Sequence, residues 1–145
     1  MYAMVLTKTA NIETNPLEFT SIDKPKINRD NELLVEIKSC GVCRSNLHIV
    51  EGDWNKYGFP AQLPIIPGHE IAGVVKSIGN KVRRVKIGDR VGIQPLYESC
   101  LVCEYCAKGC ENLCNSIKIT GKTEMEAMQN IFPYQKILLL LFQTD

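Results

Sequence analysis

The stretch ELLVEIKSC, residues 32–40, predicts a β-strand because its apolar and charged side chains alternate. Val35 and Ile37 fall on one face, and Glu36 and Lys38 fall on the other. Four further segments are also predicted to form short strands: 2–7, 17–22, 70–78 and 89–94. Short strands at this spacing favour an antiparallel barrel or sandwich over a parallel α/β sheet. The predicted fold is therefore mainly β.

One short helix and one turn are predicted among these strands. Residues 43–51, CRSNLHIVE, carry Leu47 and Val50 three positions apart, which is typical of one face of a helix. The pair Gly88 and Asp89 suits a turn between two strands.

The composition excludes several classes of protein. The chain has 145 residues, with 17 Lys and Arg against 16 Asp and Glu, and 45% of its residues are hydrophobic. A net charge of +1 lacks the broad basic field of a dedicated nucleic-acid binder. The longest apolar run, 137–142, has six residues, whereas a membrane span needs about 20. Because the N-terminus shows no signal peptide, we expect a cytoplasmic protein. The net charge and the short apolar run predict that it has no nucleic-acid or membrane partner.

Seven cysteines need an explanation, because cytosolic proteins do not normally use cysteines for disulfides. Five of them fall within the 15 residues from Cys100 to Cys114, where the sequence shows almost no periodicity. We therefore expect residues 95–115, here called the cysteine lobe, to be held by a metal rather than by a packed core.

The spacing C-x2-C-x2-C-x7-C in the cysteine lobe is typical of a structural zinc site. Cys100, Cys103, Cys106 and Cys114 would supply four thiolates, which complete a tetrahedral zinc and leave no open position. Cys110 lies in the same loop and is the alternative fourth ligand. Disulfides, unpaired thiols and an iron–sulfur cluster are the other interpretations.

A second constellation contains both histidines of the chain. One stands in G-V-C-R-S-N-L-H, residues 41–48, and the other in P-G-H-E, residues 67–70. A thiolate with an imidazole is a ligand set that a catalytic zinc takes. Read separately, each histidine is more often structural, and Cys40 with Cys43 also forms the C-x2-C of a redox pair. The residues alone leave these alternatives open, although no thioredoxin-like βαβ pattern surrounds the pair.

Four motifs follow one another between about residue 1 and residue 121. They read GVCRSNLHIVEGDW, PIIPGHEIAGVV, KIGDRVGIQP and the cysteine lobe ending in ENLC. In this order they resemble the zinc-dependent alcohol dehydrogenases of the medium-chain dehydrogenase/reductase family. The resemblance implies that residues 1–121 form a GroES-like catalytic domain, a partly open β-barrel with short helices.

The resemblance also implies two zinc ions. Cys43 and His69 match ligands of the family's catalytic zinc, and Glu70 matches a neighbour that approaches or binds the metal in some members. The four cysteines of the lobe match the structural zinc site. The implied reaction oxidises an alcohol to an aldehyde or ketone: zinc favours the alkoxide, and hydride passes to NAD or NADP.

Three further positions near Cys43 take roles from the resemblance. Ser45 and His48 match the hydroxyl and imidazole that pass the substrate's proton toward solvent. Arg44 matches a residue that meets the cofactor pyrophosphate in some members. Asn46 departs from the family, which usually has an aspartate that can accept a hydrogen bond from the ligating histidine. Because asparagine is neutral, we predict a tuned or weaker zinc site rather than a lost one.

Two parts of the family's enzymes are not found in the sequence. No G-x-G-x-x-G motif occurs, so we expect no Rossmann domain in this chain. The third protein ligand of the family's catalytic zinc would lie beyond residue 145. We therefore expect a truncated protein that is inactive alone, with the structural zinc bound and the catalytic site partial or empty.

Residues 122–145 form a tail that does not follow the family pattern. Over residues 123–132, moving the reading frame one base upstream permits the string R-D-G-G-Y-A-E-Y-I, which is similar to the family's continuation. We hypothesise a frameshift near Thr123, with an unrelated natural tail or an engineered boundary as alternatives. We expect the apolar run 137–142 to substitute for a lost strand or to pair with another molecule, which would give a homo-oligomer.

Two functions from different classes remain open. The first is the catalytic domain of a zinc-dependent alcohol dehydrogenase, acting on small alcohols or aldehydes. The second is a zinc-stabilised GroES-like module with a binding or structural role and no catalysis. A zinc-ribbon nucleic-acid binder is excluded, because no basic stripe surrounds Tyr97 and Tyr105. An assay of alcohol-dependent NAD(P)H formation separates the two, and we predict no turnover by the 145-residue chain.

Overall fold

Short strands dominate the structure, a computed structural model that describes residues 1–60 and 62–120 and the backbone of 131–133 and 140–141. The strands are β1 Tyr2–Leu6, β2 Leu17–Ser21, β3 Glu32–Cys40, β4 Ile71–Ile78, β5 Arg90–Ile93, β6 Leu96–Glu98, β7 Lys118–Ile119, β8 Ile131–Pro133 and β9 Leu140–Leu141. The α-helices are α1 Arg44–Glu51 and α2 Glu104–Ala107, and 3-10 turns occupy Ile12–Thr14, Asn55–Tyr57 and Glu111–Leu113. No helix in these described ranges is long and apolar enough to cross a membrane.

The central sheet has five strands in the order β8-β3-β4-β5-β9, and every neighbouring pair is antiparallel. β1 pairs with β2, and β6 pairs with β7, again antiparallel. A bridge between Leu6 and Ile65 connects the first pair to the segment before β4. These pairings confirm the predicted mainly β, antiparallel fold. Over the described residues the sheets do not close into a complete barrel.

The five predicted strands are observed as β1 to β5, and each begins and ends within one residue of its predicted bounds, whereas β6 to β9 were not predicted. The predicted turn is also present, because Gly88 has a φ of 94° and the Lys86 N–H donates to the Asp89 carboxylate at 2.9 Å. In β3, register shifts after Leu34 and Ile37 interrupt the simple alternation that the sequence suggested.

The β3–β4 pairing brings two distant motifs together. Cys40, the last residue of β3, lies opposite Ile71, the first residue of β4. In an antiparallel pair, the residues that follow one strand lie beside those that precede its partner. The Gly41 N–H accordingly donates to the Glu70 carbonyl at 2.8 Å. The 41–48 motif and the 67–70 motif therefore meet at one end of the sheet.

Two apolar clusters hold this end of the sheet and the helix after it. The larger is built on β3, β4 and β5 and includes Val35, Val75 and Val91, which are fully buried. The second packs α1 against β1 and the segment before β4 through Leu6, Ile49, Val50 and Ile65. The buried face of α1 is thus formed by Asn46, Ile49 and Val50, whereas the sequence suggested Leu47 and Val50.

β6 and β7 flank the core of the cysteine lobe, and their pairing sets Leu96 opposite Ile119. The lobe contains α2 and the 3-10 turn Glu111–Leu113, neither of which was predicted. Elements of three or four residues are too short to show a periodicity.

The tail lies largely outside the described residues. Its two described pieces extend the central sheet, since β8 pairs with β3 and β9 pairs with β5. The frameshift hypothesis and the expected homo-oligomer stay predictions, as does the domain division at residues 121 and 122.

Candidate metal centres

Cys43, His69 and Glu70, here called the Cys43 site, converge where β3 ends and β4 begins. One ligand atom from each lies within 4.8 Å of the other two. The Cys43 Sγ is 2.9 Å from the His69 Nε2. His69 is buried, with 3% of its surface exposed, whereas Glu70 is exposed and forms the solvent side. A thiolate, an imidazole and a carboxylate are all zinc ligands, so the donor set fits zinc.

Local backbone features place two of these ligands. Cys43 is the residue before α1, with extended φ and ψ of −92° and 167°, and its carbonyl accepts the Asn46 N–H at 3.0 Å. Glu70 folds over Gly41, where a Cβ would stand 2.5 Å from the Glu70 Oε2. A side chain at Gly41 would therefore displace the carboxylate from the Cys43 site.

Ser45 connects the sulfur and the imidazole. Its Oγ is 2.8 Å from the Cys43 Sγ and 2.8 Å from the His69 Nε2. A hydroxyl donates one hydrogen bond and accepts others, so Ser45 can exchange a proton with a group bound at this point. The proton-transfer role that the resemblance implies for this serine stays a prediction.

Asn46 is buried behind the Cys43 site, with 8% of its surface exposed. Its Oδ1 accepts a hydrogen bond from the Cys43 thiol at 3.7 Å. The sequence argument placed this residue behind the histidine ligand, whereas the contact described by the structure is to the cysteine ligand. A charge at position 46 would therefore act directly on the sulfur.

A cavity of about 510 Å³ adjoins the Cys43 site. Cys43, Arg44 and Asn46 supply its polar lining. The rest of its wall is apolar and comes from Met4, Ile12, Leu17, Val42, Leu47, Val50 and Pro67. Arg44 is exposed, so its guanidinium is available to an anion at the cavity.

His48 lies further along α1 and is not a member of the ligand group of the Cys43 site. Its Nδ1 is 2.6 Å from the Asp53 Oδ2, and its ring stacks on Trp54 with a centroid separation of 5.0 Å. Sequence reasoning missed Asp53 and Trp54. The signal was the G-D-W that directly follows α1.

The four predicted ligands of the cysteine lobe come together in the structure. The sulfur atoms of Cys100, Cys103, Cys106 and Cys114 all lie within 4.8 Å of one another. Cys110 is not in this group, and its thiol points to the Lys108 carbonyl at 3.9 Å. The geometry therefore favours Cys114 over Cys110 as the fourth ligand. All seven cysteines of the chain are free thiols.

Backbone N–H groups surround the sulfur atoms of the lobe. Cys114 accepts from the N–H of Cys100 at 3.3 Å and from that of Ser116 at 3.4 Å, and Cys100 accepts from the N–H of Cys103 at 3.4 Å. The hydrogen bond from the Cys100 N–H is the main cause that lowers the pKa of Cys114. The hydrogen bond from the Cys106 N–H is the main cause that lowers the pKa of Cys103 to about 6. These donors favour thiolates, which are the form that binds zinc.

Cys106 has the opposite tendency. Burial is the main cause that raises the pKa of Cys106 to about 11, followed by its neighbour Cys103. A thiolate at Cys106 is unfavourable unless a positive charge lies among the sulfurs, and a divalent cation supplies that charge.

Ser99 also supports a metal ion among the four sulfur atoms of the lobe. Its buried Oγ forms no regular hydrogen bond within the described ranges. The hydroxyl nevertheless lies beside Cys106 and lowers the pKa of that thiol. A buried hydroxyl next to a sulfur is suited to donate to a zinc-bound thiolate, so the lobe fits a metal that all four cysteines hold.

Cys40, the last residue of β3, precedes Cys43 by three positions but is not one of the grouped ligands of the Cys43 site. Its thiol donates to the Gly41 carbonyl at 3.5 Å, and burial raises the pKa of Cys40. A raised pKa disfavours the reactive thiolate that the redox-pair interpretation needs.

Comparison with known sequences assigns residues 29–136 to the alcohol dehydrogenase GroES-like domain. An alcohol dehydrogenase of Geobacillus stearothermophilus is 48% identical over 106 residues. That match covers 73% of this chain and 30% of the relative, so the chain spans less than a third of the relative's length.

Solved structures show the same fold. A cobalt- and zinc-bound thermostable alcohol dehydrogenase from Pyrobaculum aerophilum superposes with a TM-score of 0.80 at 24% identity, covering 100% of this chain and 42% of that one. An NAD-dependent alcohol dehydrogenase superposes with a TM-score of 0.73 at 27% identity, covering 97% of this chain and 37% of that one.

Proposed function

This chain belongs to the alcohol dehydrogenase GroES-like domain family, and we propose that it is the catalytic domain of a zinc-dependent alcohol dehydrogenase. The observation that carries the proposal is the convergence of Cys43, His69 and Glu70 within 4.8 Å, with the Ser45 hydroxyl 2.8 Å from both the sulfur and the imidazole. A metal-binding role alone would not require this hydroxyl.

The Cys43 site would hold the catalytic zinc, and a zinc there supplies Lewis-acid polarisation of a substrate oxygen. Ser45 lies closest to the ligands and would take the proton of an alcohol. His48, further along α1, would pass that proton to solvent. Arg44, exposed at the adjoining cavity, would bind the pyrophosphate of a nicotinamide cofactor.

The cysteine lobe would hold the second zinc in a structural role. Four thiolates complete the tetrahedral coordination of zinc, so no position is left for a substrate or a water. The grouping of four sulfurs within 4.8 Å supports this assignment.

The substrate class would be a small alcohol or aldehyde, in keeping with the relatives' descriptions as alcohol dehydrogenases. The cofactor would be NAD or NADP. One solved relative is described as NAD-dependent. The sequence of this chain has no dinucleotide-binding motif, so the cofactor would be bound chiefly by a part of the protein outside these residues.

A chimera provides the most direct test. The matched residues of this chain would replace the equivalent segment of the Geobacillus stearothermophilus relative, and alcohol-dependent reduction of NAD or NADP would be measured. We expect activity in the chimera, loss of activity with Cys43→Ala, and retention with Cys110→Ala as the matched control. A folded, zinc-loaded chimera with no activity would contradict the proposal and favour the non-catalytic module.

The isolated chain provides a second test through its metal content. We expect the cysteine lobe to retain zinc after dialysis, and the Cys43 site to bind a further zinc weakly or to stay empty. We also expect no alcohol-dependent NAD(P)H formation by the chain alone. Turnover by the isolated chain would show that the domain supplies cofactor binding that its sequence does not reveal.

A further inference from the structure

The turn after α1 is built around His48. Gly52 and Asp53 both donate their N–H groups to the His48 carbonyl, each at 3.1 Å. Gly52 has a φ of 79°, a conformation that favours glycine. A Cβ at Gly52 would also stand 2.7 Å from the Asn55 Nδ2 and 2.9 Å from the Thr9 Oγ1. The chain therefore reverses directly at the end of the helix and returns along the side of His48.

Two side chains of this turn contact the His48 ring. The Asp53 Oδ2 is 2.6 Å from the His48 Nδ1. The Trp54 ring stacks on the imidazole with a centroid separation of 5.0 Å and an angle of 29° between the rings. The His48 side chain is 27% exposed and that of Asp53 is 51% exposed. The ring is thus fixed on one edge and one face while part of it stays open to solvent.

We propose that Asp53 is a positioning residue that holds His48 in the tautomer protonated at Nδ1. A carboxylate only accepts hydrogen bonds, so the Nδ1 opposite Asp53 must carry the hydrogen. In the neutral ring the Nε2 then has no hydrogen and presents a lone pair. This tautomer is the one that accepts a proton at Nε2, and Trp54 restricts the ring rotation that would exchange the two nitrogens.

The inference rests on the proposed function, because a proton acceptor at His48 is needed only if His48 passes the proton of the substrate to solvent. It extends that function by assigning a task to Asp53, which touches neither the ligands of the Cys43 site nor its cavity. The same orienting role is played by groups that fix the tautomer of other catalytic histidines.

The test is a nitrogen–proton correlation NMR spectrum of the imidazole rings in the full 145-residue chain. The chain has two histidines, so the spectrum contains two rings, and His48→Gln assigns them. At alkaline pH, where the ring is neutral, we expect His48 to be in the Nδ1-protonated form alone. In Asp53→Asn this selectivity should be lost, because an amide can also donate to Nδ1 and so permits the Nε2-protonated form.

Two further variants complete the design. Asp53→Glu keeps a carboxylate and should restore the Nδ1-protonated form at least in part. Asp30→Asn removes an exposed carboxylate that pairs with Lys81 at 3.7 Å on another part of the surface, and should leave the His48 spectrum unchanged. Backbone amide spectra establish that each variant is folded.

An Nε2-protonated His48 in the unmodified chain would overturn the inference, and so would a His48 that stays exclusively Nδ1-protonated in Asp53→Asn. Because the spectrum needs neither cofactor nor catalysis, its outcome is independent of the chimera assay. An inactive chimera with an Nδ1-protonated His48 would reject the proposed function alone, and an active chimera with an Nε2-protonated His48 would reject this inference alone.

Discussion

The cysteine lobe and the Cys43 site are both candidate zinc centres, but they are built in opposite ways. The lobe takes its four ligands from one continuous segment of 15 residues, between Cys100 and Cys114. The Cys43 site takes its ligands from two segments, and Cys43 and His69 are 26 residues apart. The pairing of β3 with β4 brings these two segments together.

The difference shows whether the metal stabilises the local fold or the fold places the metal ligands. In the lobe, the short elements α2 and Glu111–Leu113 contribute few buried apolar side chains, so metal binding would provide much of the folding free energy. At the Cys43 site, packed strands and a packed helix place the ligands, so the fold does not need the metal. Four variants test this contrast, taken from the largest expected effect to the smallest.

Loss of a lobe ligand should have the largest effect. In Cys106→Ser we expect zinc to be lost from the lobe and residues 100–114 to become sensitive to proteases, because three thiolates hold zinc less well than four. Metal analysis after dialysis and limited proteolysis measure the two effects. Cys110→Ser is the matched control and should keep both zinc and protease resistance. A Cys106→Ser chain with its full zinc content would show that the lobe does not use this ligand.

A cavity in the sheet should have the next largest effect. Leu33 is 1% exposed in the main core cluster, so Leu33→Ala should lower the free energy of unfolding by about 2–5 kcal/mol. Urea unfolding followed by circular dichroism measures this change. Val102→Ala, at an 86% exposed position in the lobe, should change it by less than about 0.5 kcal/mol. If the folded Leu33→Ala chain lost its lobe zinc, the two regions would not be independent in the way proposed.

A charge beside the Cys43 site should have an intermediate effect. Asn46→Asp places a carboxylate against the Cys43 sulfur and should raise zinc affinity at this site by about tenfold to a hundredfold. Competition with a coloured chelator measures the affinity. The control Asn80→Asp adds the same charge at an exposed position away from both centres and should leave the affinity unchanged. Equal affinities for Asn46→Asp and the original chain would exclude a role of position 46 in zinc binding.

A surface ion pair on β3 should have the smallest effect. Glu36 contacts Lys76 at 2.8 Å and Lys38 at 2.9 Å, and these ammonium groups lower the pKa of Glu36 from 4.5 to about 2. A lowered pKa means that the folded state favours the carboxylate. The stabilisation is therefore complete above pH 4.5 and is lost as the pH falls toward about 2.

Unfolding measured against pH in the original chain and in Glu36→Gln tests this sign. The original chain should be slightly more stable at neutral pH, and the difference should shrink through the acid range. Zinc content should be the same in both, since Glu36 touches neither centre. A difference that grows on acidification would contradict the assignment.

Much of the fold could be predicted because its signals are local. Alternating side chains identified β3, and the strands β1 to β5 end within one residue of their predicted bounds. The lobe ligands could be predicted for the same reason, since close cysteine spacing is itself the signal of a site on one loop. The predicted buried face of α1 was wrong in part, because an eight-residue helix with apolar residues at 47, 49 and 50 does not show which of them the rest of the chain will cover.

The sequence by itself determined the antiparallel β character and the close cysteine spacing of the lobe, and its resemblance to a known family singled out the residues of the Cys43 site as a prediction. Only the tertiary structure decided that Cys114 rather than Cys110 joins the four-sulfur group, that Asn46 contacts the sulfur ligand, and that Asp53 meets the His48 ring. The physical reason is that patterning and spacing act along the chain, whereas these contacts depend on the direction of each side chain. That direction is set by strand register, helix packing and the reversal at Gly52, which exist only once the chain has folded.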